Sequence, residues 1–255
     1  MLRRGVLLLL VLVAAYAVYV VAGLPPRAEV RTLARKAPGR TAMMRQREAE
    51  AKVAGRKARL EQTWVPIAAI SRNLIHAVIS SEDQNFLGHA GLDWEAIQSS
   101  IEKDIAKRRF AVGGSTISQQ LVKNLFFSTE KSLTRKLREA LVVRWLEQDL
   151  SKTRILELYL NVIEWGEGVY GCEAAARRCY GKAAADLTEE EAAGLAGMIP
   201  NPRRIHPELS PARFARAQRR VLWLMARAGY IKRDLGALGA EPPPPEPEPG
   251  PADEP

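Results

Sequence analysis

The longest uninterrupted run of apolar residues stands at the N-terminus, where about twenty residues between Gly5 and Leu24 carry no charge. That length is enough for an α-helix to cross the hydrocarbon core of a bilayer. A cleavable signal peptide is the alternative. Its apolar region is usually shorter, at about 7 to 15 residues, and this run ends in Leu-Pro-Pro rather than in a small-residue cleavage site. We therefore predict a transmembrane anchor over residues 5–24, preceded by a cytoplasmic N-terminus of residues 1–4.

Between residues 63 and 235 the hydrophobic positions recur at the spacing of α-helices. Leu74, Ile75 and Val78, for example, fall on one helical face. Similar patterns and capping residues predict further helices: one after Asp93, four over residues 116–127, 132–150, 153–163 and 173–180, and two that begin after Thr188 and Ser210. No stretch alternates convincingly between apolar and polar residues, so we expect a mainly α-helical domain over residues 63–235.

Two segments outside this helical body differ from it in composition. Residues 25–62 contain eleven bases and four acids with almost no large aliphatic side chains. This predicts a basic, partly helical juxtamembrane linker that lies against anionic headgroups, with a solvated spacer as the alternative. Residues 236–255 are dominated by Pro and Glu, which predicts a disordered tail with extended polyproline character.

The charge of the chain points to an anionic partner. The formal net charge is +9, and without residues 241–255 the chain has 38 basic residues against 24 acidic ones, a net +14. Such an excess suits nucleic acid, phospholipid headgroups or a phosphorylated substrate. Cys172 and Cys179 lie seven positions apart in a predicted helix, about 10 Å along its axis. That separation is too great for a disulfide, so we predict two unpaired thiols.

The stretch SEDQNFLGHAGLD carries the first candidate chemistry. Glu82 follows Val78 by four residues and Ile75 by seven, so its carboxylate continues an apolar helix face. Loss of water there raises a carboxyl pKa toward the range that is useful for proton transfer. The alternative is an exposed acid at a frayed helix end. A lone histidine such as His89 more often supports a loop by hydrogen bonding than performs chemistry.

The stretch GGSTISQQLVKN opens with two glycines that let the backbone approach a ligand closely. Thr116 is the predicted N-cap of the following helix, with Gln119 completing a capping box. Free N–H groups at a helix N-terminus bind phosphate, and Thr116, Gln120 and Lys123 form one polar stripe. The pattern predicts a phosphate cradle, with an ordinary capped amphipathic helix as the alternative.

The stretch RKLREALVVRWLE places Arg135 and Lys136 within about one helical turn of Glu139. Two bases beside an acid suit a diphosphate, which the acid positions directly or through a divalent ion. A surface lattice of salt bridges is the alternative. A Walker sequence, a Rossmann fingerprint and zinc-ligand spacing are absent from the sequence.

In this order, the three stretches resemble the family 51 glycosyltransferases, specifically the monofunctional peptidoglycan glycosyltransferases. Two later stretches, SKTRILELYLNVIEWGEGVYGCEAAARRCYGK and LTEEEAAGLAGMIPNPRRIHP, strengthen the resemblance, which runs from about Trp64 to Tyr230. It implies a lysozyme-like helical glycosyltransferase domain with a membrane-associated jaw subdomain. It also implies transfer of the growing glycan from undecaprenyl pyrophosphate onto lipid II, with inversion to a β-1,4 bond.

The resemblance also implies roles for individual residues. Glu82 is the implied catalytic base that deprotonates the acceptor's 4-hydroxyl, and Glu139 is the second catalytic carboxylate, in the donor half of the cleft. Asp83 and His89 support Glu82, and Asn161 has a structural or site-lining role. The residues implied to hold the donor's pyrophosphate or sugar are Ser115, Thr116, Gln120, Lys123, Arg135 and Lys136.

The same resemblance implies partners and location. Lipid II and the lipid-linked glycan are the expected substrates, the membrane is the expected surface, nucleic acid is not expected, and cell-wall synthesis or division proteins are candidate partners. No cofactor is required by the motifs, although Mg²⁺ or Mn²⁺ near Glu139 is a candidate. We expect a single-pass protein of the inner membrane with its catalytic domain on the periplasmic side, which the flanking charges alone leave ambiguous. A transpeptidase K-T-G element is absent from the sequence.

Three other functions remain open from the sequence. A lytic transglycosylase would share the lysozyme-like fold and a glutamate, but an uncharged glycan has little use for Lys123, Arg135 and Lys136. A membrane-tethered nucleic-acid binder would need aromatic residues among its bases for stacking. An inactive scaffold would not need both Glu82 and Glu139.

Overall fold

The structure is a computed structural model that describes residues 2–93, 98, 115–127, 129, 132–239 and 241–244. Helices dominate these residues, in agreement with the predicted mainly α-helical class. We number them α1 Leu2–Ala22, α2 Arg27–Thr32, α3 Ala42–Val53, α4 Arg72–Glu82, α5 Ile117–Phe126, α6 Leu133–Asp149, α7 Lys152–Val162, α8 Cys172–Tyr180, α9 Glu189–Met198, α10 Pro211–Arg227 and α11 Leu235–Leu238. The helix predicted after Asp93 lies outside the described residues.

Local capping explains where several helices begin. Thr116 and Thr188 each accept a hydrogen bond from the backbone three residues on, and Gln119 and Glu191 return the bond, so both predicted capping boxes are present. Pro211 is the first residue of α10. An N–H at this position has no partner within the helix, so the proline costs no hydrogen bond. The predicted ends therefore fall within one or two residues of the observed ones.

The core is built where α4 packs on α9 and α10, and where α5 packs on α6 and α7. α9 is rich in alanine and glycine, and this composition allows close packing: a Cβ at Gly197 would lie 3.0 Å from the backbone of Ala217 on α10. Leu74 and Val78, from the stripe predicted on α4, are fully buried. Removing these apolar side chains from water is the main favourable contribution to folding. Through this packing α4 is held with its C-terminal end, which carries Glu82, beside α5.

A small sheet was not predicted. Its strands are β1 Glu61–Gln62, β2 Glu164–Gly166 and β3 Val169–Tyr170, in the order β1-β3-β2. β3 is parallel to β1 and antiparallel to β2. Strands of two or three residues are too short to show an alternating pattern.

Part of the 25–62 segment packs onto the helical body. Val30 and Leu33 belong to the main core, and Met43 and Met44 form a smaller buried cluster with Tyr170. The segment is partly helical, as predicted, but these four apolar residues exclude a solvated spacer for the stretches that contain them.

One helical segment within the described chain, Arg3–Thr32, is long and apolar enough to cross a membrane. It contains α1, whose large apolar side chains from Val6 to Val13 are all more than half exposed. Cys172 and Cys179 are both free thiols, as predicted. Most of the tail predicted over residues 236–255 lies outside the described residues.

Candidate active site

Glu82 is the last residue of α4, and its carboxylate contacts the polar face of α5. Gln120 Nε2 donates a hydrogen bond to Glu82 Oε2 at 2.7 Å. The Tyr159 hydroxyl on α7 in turn donates to Gln120 Oε1 at 2.8 Å. Burial raises the pKa of Tyr159 well above its ordinary value, so the phenol stays protonated. This donor fixes the orientation of the Gln120 amide so that its NH₂ group faces Glu82.

The environment of Glu82 favours a carboxyl that titrates near neutral pH. Burial raises the pKa of Glu82 to about 7. The hydrogen bond from Gln120 and the positive charges of Lys123 and Arg220 stabilise the carboxylate and so limit this increase. The nearby charge of Asp83 adds a smaller upward contribution. A base with a pKa near the working pH combines a useful ionised fraction with a strong affinity for the proton. The geometry therefore suits Glu82 to accept a proton.

Asp83 and His89 organise the loop that follows Glu82. His89 Nε2 lies 2.9 Å and 3.0 Å from the two carboxylate oxygens of Asp83, and its Nδ1 accepts a hydrogen bond from the Gly91 N–H at 3.0 Å. Because Nδ1 is an acceptor, Nε2 carries the proton and donates to Asp83. Both residues were predicted to support Glu82; the contacts order the loop directly after it, and the supporting role stays a prediction. Their inclusion among substrate-binding residues stays a prediction.

The N-terminus of α5 is bound by the protein itself. Asp83 Oδ2 accepts a hydrogen bond from the Ile117 N–H at 3.0 Å. Thr116 Oγ1 accepts from the Gln119 N–H at 3.2 Å and donates to the Gly91 carbonyl at 2.6 Å. These groups are among those that we expected to bind phosphate, and here the Ile117 and Gln119 N–H groups are hydrogen-bonded within the protein. Thr116 holds the loop and the helix together here, and binding of an anion by the neighbouring side chains stays a prediction.

The second cluster lies on α6, around the buried carboxylate of Glu139. The Arg135 guanidinium donates a hydrogen bond to Glu139 Oε1, and Lys136 Nζ lies 3.3 Å from Oε2. Lys136 Nζ also donates to Ser115 Oγ at 3.3 Å. Ser115 directly precedes the cap of α5, so this contact joins the α5 stretch to the α6 stretch. Burial lowers the pKa of Arg135, yet a guanidinium remains charged at physiological pH.

A divalent ion near Glu139 would have to compete with the two cations that are paired with its carboxylate, from Arg135 and Lys136, although Glu139 Oε2 makes no hydrogen bond to the part of the chain that the structure describes. Within the described parts of the chain, possible metal donors converge instead at Asp83, His89 and Asp93, whose ligand atoms lie within 4.8 Å of one another. Both ring nitrogens of His89 are already hydrogen-bonded. We therefore assign no step to a metal ion.

Asn161 has a structural position. Its side-chain amide donates to the carbonyls of Val65 and Glu157 at 2.9 Å and 2.8 Å, and its Oδ1 accepts from the Val65 N–H at 2.9 Å. The side chain is fully buried. Of the two roles left open for it, these contacts support the structural one, in which it pins the segment before α4 onto α7.

Two residues near Glu82 were missed by sequence reasoning. Tyr159 stands in the same LYLN stretch as Asn161, so its proximity to the motifs was the available signal. Arg220 lies on α10, about 140 residues beyond Glu82, and acts on it through charge. Nothing in the helical pattern of α10 distinguishes this arginine from its neighbours, because only tertiary packing brings it to the site.

A desolvated carboxylate beside several basic side chains, in a helical domain, is an arrangement that suits an enzyme acting on an anionic substrate. The sequence model of the transglycosylase family matches residues 49–226. The chain therefore belongs to the transglycosylase family.

Its relatives carry a more specific name. The biosynthetic peptidoglycan transglycosylase of Dechloromonas aromatica is 54% identical over 166 residues, which cover 65% of this chain and 72% of the relative. The protein of the same name from Aromatoleum aromaticum is 50% identical over 182 residues, 71% of this chain and 79% of the relative. A third, from Herminiimonas arsenicoxydans, is 44% identical over 200 residues, 78% and 82% of the two chains.

Proposed function

We propose that this protein is a peptidoglycan glycosyltransferase that polymerises lipid II into β-1,4-linked glycan strands and releases undecaprenyl pyrophosphate. Its membership of the transglycosylase family and the names of its relatives support this activity. The single structural observation that carries the proposal is the carboxylate of Glu82, held by Gln120 with a pKa near 7.

In the proposed reaction, Glu82 removes the proton from the 4-hydroxyl of the acceptor sugar. The acceptor oxygen then bonds to the anomeric carbon of the donor, and the bond from that carbon to the pyrophosphate oxygen breaks. The pyrophosphate leaves with the electron pair, and attack from the opposite face converts the α linkage to β. Gln120 keeps the carboxylate in place during proton transfer through its 2.7 Å hydrogen bond.

The leaving pyrophosphate gains negative charge as the bond breaks, and preorganised cations stabilise such a transition state. Arg135, Lys136 and Lys123 are the candidates for this role. Lys136 is suited to it because its side chain is half exposed while its ammonium group remains between Glu139 and Ser115. Glu139, predicted as the second catalytic carboxylate, is ion-paired with both α6 cations, and we propose that it acts on the donor side by holding them in place.

The apolar helix α1 supports a membrane anchor, which suits a lipid-linked substrate because both then diffuse on the same surface. We propose that the chain crosses the inner membrane once and that its catalytic domain lies on the periplasmic side. Cell-wall synthesis or division proteins remain candidate partners.

The basic residues around the candidate site disfavour the lytic alternative. A lytic enzyme cleaves an uncharged glycan, whereas Lys123 and Arg220 place positive charge next to Glu82 and two more bases flank Glu139. The names of the relatives also point to biosynthesis.

The experiment is to incubate the purified full-length protein separately with lipid II and with preformed, uncross-linked glycan strands. We expect lipid II to be converted to long strands and the preformed glycan to keep its length. Shortening of the preformed strands without polymer from lipid II would contradict the proposal and support the lytic function. An assay repeated with a chelator tests whether a divalent ion contributes.

A further inference from the structure

The C-terminal segment that follows α11 is bound by two side chains of α10. Trp223 Nε1 donates a hydrogen bond to the Gly239 carbonyl at 3.1 Å, and Arg220 Nη1 donates to the Pro243 carbonyl at 2.7 Å. Pro242 and Pro243 are partly buried. A proline-rich chain in the extended polyproline form makes no hydrogen bonds within itself, so its carbonyls are available as acceptors. α10 therefore recognises this segment through its backbone.

The order of these contacts gives the segment a direction. Gly239 contacts Trp223, whereas Pro243, four residues later in the chain, contacts Arg220, three residues earlier in α10. The segment therefore runs antiparallel to α10, away from the C-terminal end of that helix. α11, which directly precedes the segment, packs on α10 and fixes the place where the tail begins.

α10 and the tail carry opposite charges. The helix contains no acidic residue and five arginines, which are Arg213, Arg216, Arg219, Arg220 and Arg227. Residues 241–255 contain no base and five acids, which are Glu241, Glu246, Glu248, Asp253 and Glu254. Arg216 and Arg213 lie beyond Arg220 in the direction in which the segment runs. Complementary charges of this kind favour association and fix its register.

Arg220 connects the tail to the candidate active site. α10 packs on α4, the helix that ends at Glu82. Burial raises the pKa of Glu82, and the positive charge of Arg220 is one of the contributions that limit the increase, so the guanidinium lies within electrostatic reach of the carboxylate. The Pro243 carbonyl is neutral and does not cancel the charge of Arg220. An anionic group makes a stronger, charge-assisted hydrogen bond to a guanidinium.

From these contacts we infer that the acidic tail is an autoinhibitory ligand of α10, which competes with the anionic lipid-linked substrate for the basic surface beside Glu82. The inference rests on the proposed function for the identity of that substrate. Because the tail belongs to the same chain, its effective concentration is about millimolar at any protein concentration. The substrate displaces the tail when it binds, so the tail raises the KM and leaves kcat unchanged.

The test uses two full-length variants that release the tail in different ways. The first, the neutralised variant, combines four substitutions that remove four of the five acidic charges: Glu246→Gln, Glu248→Gln, Asp253→Asn and Glu254→Gln. The second, Trp223→Phe, changes no charge. It keeps a ring beside Arg227 but removes the donor to the Gly239 carbonyl.

Polymerisation of lipid II is measured in a non-ionic detergent, so that membrane charge plays no part. We expect each release variant to lower the KM by about three- to tenfold at about 50 mM salt, the effect of losing a few exposed charge contacts. The kcat should stay within about twofold of wild type. The difference in KM should shrink at about 0.5 M salt, where such contacts are screened.

The matched control keeps the charge of the tail and changes only the length of its acidic side chains. It combines Glu246→Asp, Glu248→Asp, Asp253→Glu and Glu254→Asp, and it should retain the wild-type KM. An unchanged KM in both release variants would overturn the inference. A lower KM in the neutralised variant alone would also overturn it, because that result would indicate a long-range effect of net charge without docking on α10.

A second measurement does not depend on turnover. A photoreactive phenylalanine analogue at Pro247 should cross-link to α10 within the same chain in the wild-type background, and excess lipid II should reduce the yield. The yield should fall in the neutralised variant. Absence of cross-links to α10 in the wild-type background would contradict the inference. Failure of the wild-type protein to polymerise lipid II would instead remove the proposed function and leave the docking of the tail standing.

Discussion

The substitution Glu82→Gln should make the protein more stable at neutral and alkaline pH. Burial raises the pKa of Glu82 from the ordinary 4.5 to about 7. Because the folded state holds the proton more tightly than the unfolded state, ionisation of Glu82 opposes folding. The penalty is absent below about pH 4.5, where both states are protonated. It grows through the interval up to about pH 7 and is complete above it.

The size of this penalty follows from the same two values. At about 1.36 kcal/mol for each pKa unit, the difference between 4.5 and about 7 corresponds to roughly 3 kcal/mol. This is an upper limit, because the Glu82 side chain is only partly removed from solvent. At about 2–4 °C per kcal/mol for a chain of this size, Glu82→Gln should raise the thermal midpoint by up to about 10 °C at pH 8.

The assay is thermal unfolding in one detergent at pH 4.5, 6, 7 and 8, followed by circular dichroism. The matched control is Glu167→Gln, because the Glu167 side chain is 63% exposed and its loss should change stability by no more than about 0.5 kcal/mol. The stabilisation of Glu82→Gln should appear only as the pH rises. An equal midpoint for wild type and Glu82→Gln at pH 8, or a difference that does not depend on pH, would refute the desolvation of Glu82.

Three further predictions concern other parts of the molecule. Tyr159→Phe removes the hydroxyl that donates to Gln120 and orients its amide. We expect unfolding experiments to show a loss of about 0.5–1.5 kcal/mol of stability. Kinetics with lipid II should show a clear fall in kcat at unchanged KM. Gly23→Ala would place a Cβ against the Arg138 guanidinium, which donates hydrogen bonds to the carbonyls of Val20 and Tyr19; the loss of these two bonds should lower the thermal midpoint in detergent. Gly5→Ala, which has open space around it, should leave the midpoint unchanged. An equal effect of both substitutions would contradict the contact between Gly23 and Arg138. Burial raises the pKa of the Cys172 thiol to about 12 and that of the Cys179 thiol to about 11. Both thiols should therefore react slowly with a thiol reagent at pH 8 in the folded protein and fully after denaturation. Fewer than two reactive thiols in denatured, unreduced protein would contradict the unpaired state.

The positions of the helices could be read from the sequence because local signals agree with the fold. The apolar stripe of α4, the capping box at Thr116 and the proline that opens α10 all act within one or two helical turns. The three-stranded sheet was not predicted because its strands are too short to show an alternation of apolar and polar residues. The packing of Val30 and Leu33 into the main core was not predicted, because two apolar residues in a basic segment form no recognisable hydrophobic pattern.

For the candidate site, the sequence indicated which residue types stand where, but not which groups they contact. The polar stripe on α5 was predicted as a phosphate site, and the structure shows that two of its members, Gln120 and Lys123, lie near Glu82. The sequence also predicted that the N–H groups at the start of α5 bind phosphate. In the structure, Asp83, which is distant in the sequence, accepts the hydrogen bond from the Ile117 N–H there. Arg220 could not be found at all, since its approach to Glu82 depends on how α10 packs against α4.

Polymerisation of lipid II by Glu82→Gln is the most direct test of the central claim, that the carboxylate of residue 82 accepts the proton in glycan transfer. The amide keeps the shape of the side chain and an oxygen that can accept the hydrogen bond from Gln120, but it cannot take the proton. Binding of lipid II should remain, and the rate of polymer formation should fall by about 10²–10⁴-fold, the usual contribution of a general base. Polymer formation by the folded variant at the wild-type rate would contradict the account.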